Sequence, residues 1–136
     1  MKKQILLSFT FLLVMGQALA QDNTIDSLKL ALKKAKHDTS RCHILYELSI
    51  AASDDEWPQY NQQLLTLAEK NAVTNSSFKN NYLRYVAEAS NNVGFLAQMR
   101  GDMPDALKYF NKSLRIFEGL YDKEGLAPTY NNIGSV

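Results

Sequence analysis

The sequence predicts an all-α chain in which antiparallel helical hairpins stack into a short solenoid, with the last unit incomplete. Three observations carry this. Apolar residues recur at three- and four-residue steps nearly everywhere, and no convincing strand alternation appears. The phrase Asn91-Asn92-Val93-Gly94 returns 40 residues later as Asn131-Asn132-Ile133-Gly134, each copy led by an alanine at the same distance, Ala87 and Ala127. A fixed period of this size marks one supersecondary unit that is copied and stacked. Finally, Gly101-Asp102 with Pro104 separates two periodic stretches by the residues that stop one helix and start the next.

Residues 1–20 are expected to lie outside the fold. Lys2 and Lys3 form a basic start, Ile5 to Val14 is an apolar run, and Ala18-Leu19-Ala20 offers small residues before polar Gln21-Asp22-Asn23. That order is the one of a secretory signal, and the apolar run is shorter than the roughly 20 residues needed to span a bilayer. An exported protein, periplasmic or secreted, is expected. A first helix from about Thr24 to Lys36 carries the stripe Ile25, Leu28, Leu32, Ala35, and His37-Asp38-Thr39 reads as a break. A second helix spans roughly Ser40 to Ala52, with Cys42, Leu45, Leu48 and Ala52 inward. Acidic residues at 54–56 suit the N-terminus of a third helix, about Trp57 to Ala72, with Tyr60, Leu64, Leu67 and Ala68 inward. After the polar linker around residues 74–77, Phe78, Tyr82, Tyr85, Val86, Ala89, Val93, Leu96 and Ala97 keep helical spacing. Gly101 then caps that helix in a left-handed turn, and Asp102 starts the next with Asp105 three residues on. Ala106, Tyr109, Phe110, Ser113, Leu114 and Phe117 form its inner face. A last helix begins near Glu124 to Ala127, with Pro128 expected to delay or kink it.

This divides the chain into a signal segment (1–20), an N-terminal helix (21–39), an irregular hairpin plus linker (40–77), a regular hairpin (78–121) and a single helix of a further unit (122–136). Removal of Lys2 and Lys3 leaves 13 basic against 14 acidic residues and no basic stripe, so nucleic acid is not an expected partner. No second apolar segment follows, so the mature chain is not expected to insert into a membrane. Cys42 is the sole cysteine and reads as a buried apolar residue. His37 and His43 are the only histidines, and adjacent Cys42 and His43 point about 100° apart on a helix, which rules out a shared ligand geometry. No phosphate loop or nucleophile motif is present, so neither a cofactor nor catalysis is expected, and Trp57 and the tyrosines read as core.

Residues 87–118 resemble a tetratricopeptide repeat. Gly94, Ala106, Phe110 and Ser113 meet that family's small, small, aromatic and small positions at its spacing, and Val93 stands at the leucine-type position before the glycine. Ala97 stands where a tyrosine is commoner, and Glu118 where a helix-ending proline is often found. The 40-residue period exceeds the family's usual length of about 34 and is similar to the longer-repeat branch of kinesin light chains and bacterial sensor proteins. Residues 40–70 look like a degraded repeat, with Trp57 in the place of the small alanine and Leu64 aligning with Ser113 at a separation of 49.

The resemblance implies a non-catalytic module that binds a peptide or partner protein on the concave face lined by first helices. Glu88, Asn91, Phe95, Gln98 and Met99 would share that face, bordered by Asn92, with Asn131 and Asn132 as their counterparts in the next copy. An amide both donates and accepts, which suits either an extended peptide backbone or a neighbouring helix. Gly94, Ala106, Phe110, Ser113 and Gly134 would serve repeat packing. The alternative is the truncated N-terminal sensory region of a larger signal-transduction protein, such as a histidine kinase, cyclase or transcription regulator. The second copy ends at Val136 with Tyr130 and Ile133 apolar, so marginal stability or self-association through that end is expected.

Overall fold

The computed structural model describes residues 24–74 and 77–136, and the signal-segment expectation lies outside them. Among the described residues there are six helices and no strand: α1 (residues 24–34), α2 (Asp38–Ala51), α3 (Trp57–Thr74), α4 (Lys79–Met99), α5 (Met103–Leu120) and α6 (Lys123–Gly134). From α2 onward, consecutive helices pack as antiparallel neighbours. In addition α2 touches α4 and α4 touches α6, so the first helices of successive pairs line the inner curve.

Two turns of the same design connect the last three helices. At the first, Gly101 takes φ +79 and the Asp102 N–H returns to the Ala97 carbonyl at 2.9 Å. At the second, Tyr121 takes φ 54 and the Asp122 N–H returns to the Phe117 carbonyl at 3.0 Å. Both satisfy the last carbonyls of a helix through a left-handed residue, and a tyrosine there costs about 1–2 kcal/mol that glycine does not. The aspartate that follows is in each case the N-cap of the next helix. Asp102 Oδ1 accepts from the Asp105 N–H at 3.1 Å, and Asp122 Oδ1 from the Gly125 N–H at 3.2 Å. Pro104 lies in the first turn of α5, where no N–H is needed.

Several expectations are corrected. Asp38 and Thr39 belong to α2, which His37 precedes as cap, so the break is shorter than the polar run suggests. Pro128 does not delay α6, because the Asp122 cap starts that helix at Lys123. Pro128 and Glu124 are both exposed, so the carbonyl deprived of its i+4 donor lies on the solvent side. Phe78 is not part of the inner stripe of α4 but 49% exposed. In α3 the fully inward positions are Tyr60, Asn61, Leu64, Leu65, Ala68, Asn71 and Ala72, and Leu67 is only partly buried. Tyr121 and Tyr130 are exposed, not core. Ile133, expected at an open end, packs against Ala97, Ala106 and Phe110.

The larger core cluster joins Cys42, Leu45, Leu48, Leu64, Ala68, Tyr82 and Val86, with Ile25, Leu28 and Leu32 of α1 laid on it. Lys29 of α1 also pairs with Glu56 at 2.9 Å, which accounts for one of the three acidic residues before α3. Each fully buried Leu or Phe contributes on the order of 1.5–3 kcal/mol. Two glycines set the approach of the later helices. A Cβ on Gly94 would stand 2.6 Å from Phe110 Cδ1 and 3.1 Å from the Ala106 carbonyl, so α4 and α5 close only because position 94 is bare. Gly125 of α6 likewise lies directly against the Phe117 ring.

Candidate functional site

On α4, Asn81, Glu88 and Phe95 follow at seven-residue steps and Met99 four further on. At about 100° per residue these four share one line on the inner curve. Residues on either side of that line are tied to different neighbours. On one flank Arg84 Nε meets Asp122 Oδ2 at 3.1 Å and its Nη2 meets Glu124 at 3.3 Å. On the same flank Asn91 Oδ1 accepts from Asn132 Nδ2 at 3.2 Å, and Gln98 Nε2 donates to Ser135 Oγ at 3.0 Å. All of these reach α6 or its cap. On the other flank Tyr85 stacks obliquely with Tyr46 of α2, ring centres 5.9 Å apart, and Asn92 Nδ2 donates to Asn61 Oδ1 of α3 at 2.9 Å. The central line stays open, with Phe95 45% and Met99 69% exposed.

The sequence-derived site residues therefore separate into two sets. Glu88, Phe95 and Met99 lie together on the open line. Asn91, Asn92, Gln98 and Asn132 serve as ties between helices, and Asn131 is exposed on α6. Asn92 is bound most tightly into the fold, because its partner Asn61 is buried and spends its own amide N–H on the Ala89 carbonyl at 3.0 Å. Aligned at the 49-residue offset, Asn61 occupies the place that Phe110 fills in the regular hairpin. The irregular hairpin thus fills its aromatic slot with an amide, and Asn92 satisfies it. Of the packing set, Gly94, Ala106, Phe110 and Ser113 are buried between helices, and Ser113 Oγ lies 3.4 Å from Thr129 Oγ1. Gly134 is exposed, and a Cβ there would meet nothing within 4 Å, so it packs on no neighbour among the described residues.

Sequence reasoning missed a pocket of about 290 Å³ at the α2–α4 end of the line, lined by His43, Tyr46, Asn81, Arg84, Tyr85 and Glu88. Desolvation pushes the Glu88 carboxyl up from the usual carboxylate range, with Arg84 opposing and Asp122 reinforcing the shift. Desolvation likewise raises Tyr46 and Tyr85. Arg84 carried a readable signal: Glu124 stands 40 residues after it, so opposite charges occupy the same point of successive copies. Among the described residues no three His, Cys, Asp or Glu side chains converge to hold a metal ion, and no helix is long and apolar enough to cross a membrane.

Helical hairpins with a regular turn, small inter-helix residues and an inner curve of first helices define a helical-repeat solenoid. Comparison agrees with this: the tetratricopeptide repeat model matches residues 85–136, so that span carries the tetratricopeptide repeat pattern. No curated protein and no solved structure matches the chain. The repeat is that of a protein-interaction module.

Proposed function

We propose that this chain binds a peptide or partner protein along the inner curve, on the line Asn81–Glu88–Phe95–Met99 of α4. One observation carries the reading: Phe95 and Met99 remain exposed while the polar residues beside them are spent on α3 and α6. Exposed apolar side chains with satisfied polar borders favour a partner over water. A photo-crosslinking residue tests this. Placed at Phe95 or Met99, it is expected to form adducts with a partner protein in cell extract. Placed at Val73 of α3, 87% exposed and off that curve, it is expected to form none. Equal labelling from both positions, or none from either, refutes the assignment. Export belongs to the same proposal and is supported by the order of residues at the N-terminus: N-terminal sequencing of the processed protein should begin at Gln21.

A further inference from the structure

The pocket between α2 and α4 differs in chemistry from the rest of the inner curve. Arg84 lines it too, but its guanidinium is held by Asp122 and Glu124. Glu88 lies four residues on, half-buried, and forms neither an ion pair nor a hydrogen bond among the described residues. The remaining walls are the Tyr46 and Tyr85 rings, the Asn81 amide and His43. A half-buried carboxylate that makes no ion pair or hydrogen bond of its own, flanked by aromatic faces and with its nearest cation, Arg84, engaged by α6, is the environment that takes an organic cation. An anion would meet Glu88 inside the pocket and find the guanidinium of Arg84 occupied.

We propose that this pocket holds a lysine or arginine side chain of an extended peptide, with the Glu88 carboxylate as its counter-charge and the Tyr46 and Tyr85 rings as its walls. This rests on the inner-curve reading and specifies its ligand. The geometry also sets a spacing. Glu88 and Phe95 are seven helical residues apart, about 10 Å at the rise of an α-helix, and an extended peptide covers that distance in about three residues. The ligand therefore carries a basic residue and, about three positions away, an apolar one to lie on Phe95 and Met99.

The test is selection of a random peptide library displayed on phage against the full chain. Recovered peptides are then measured by fluorescence anisotropy against wild type and the Glu88→Gln variant. The expected result is enrichment of a basic and an apolar residue about three apart, with affinity falling roughly ten- to hundredfold in Glu88→Gln. The thermal melt of Glu88→Gln should match or exceed that of wild type, which separates lost binding from lost folding. Peptides that crosslink to Phe95 but carry no basic residue, or that bind Glu88→Gln equally well, overturn the inference and leave the inner-curve reading standing. Recovery of no binding peptide overturns both.

Discussion

At the residue scale the asparagines have the clearest energetics. Asn92 donates to Asn61 Oδ1, and Asn61 is 1% exposed, so removing the donor leaves a buried acceptor unpaired. Asn92→Ala should therefore cost about 1–3 kcal/mol, whereas Asn91→Ala should cost under about 0.5 kcal/mol, because its half-buried partner Asn132 can turn to water. Chemical denaturation of the two variants checks this. A double change that replaces Asn61 by Leu as well should recover most of the Asn92→Ala loss, since it removes both halves of the bond. The repeated Asn-Asn phrase announced itself in the sequence, but its role did not. Asn92 reaches back to α3 and Asn132 to α4, so two copies of one phrase make different contacts. What decides between them is the residue across the interface, Asn61, and nothing local to the phrase names it.

At the scale of elements, glycines decide how closely helices approach. Gly94→Ala would gain about 1 kcal/mol of helix propensity but force a Cβ against a fully buried Phe110 and a backbone carbonyl, a cost of about 1–3 kcal/mol. A net loss is expected. Gly125→Ala should lose more and act locally, freeing α6 before the rest, because the Phe117 ring behind it is itself fully buried. Gly119→Ala is the control: it is exposed, its Cβ meets nothing within 4 Å, and it should gain up to about 1 kcal/mol. Thermal melts order the three, and hydrogen exchange at the amides of α6 tests the local claim for Gly125. The helices themselves were largely legible, since Gly101, Asp102 and Pro104 act on the chain within a turn of themselves. Leu65 in place of Leu67, the exposure of Phe78 and the contact of Gly125 were not. Each depends on where a distant helix sits, and an apolar stripe fixes that only to within a residue or two.

At the scale of the whole molecule, the larger core concentrates groups that resist ionisation. Burial pushes the Cys42 thiol up to about 12, with Asp38 adding to the shift, and burial also raises Tyr46, Tyr82 and Tyr85. Each is an acid whose folded pKa exceeds its unfolded one, so its contribution is intact below the unfolded value, 9.0 for the thiol and 10.0 for the phenols, and is lost as pH rises through the folded value. The melting temperature should hold to about pH 9 and then fall steeply toward pH 12. A flat profile to pH 11 would contradict the packing described for this core. The inner curve was legible only in outline: the family pattern places Glu88, Phe95 and Met99 on it, but the pocket beside them needs α2 brought against α4, and the irregular hairpin gives no register for that.

The contact between Phe117 and Gly125 bears on how such a chain can be lengthened. One period before Gly125 stands Tyr85, which packs against the cluster that includes Ala68 rather than against a ring like Phe117. A tandem duplication of residues 83–122 would preserve the 40-residue period yet set a second Tyr85 on Phe117, where only a bare backbone fits. The units share a period without being interchangeable, and any added copy must arrive with a compensating change in side-chain size at one of these two positions.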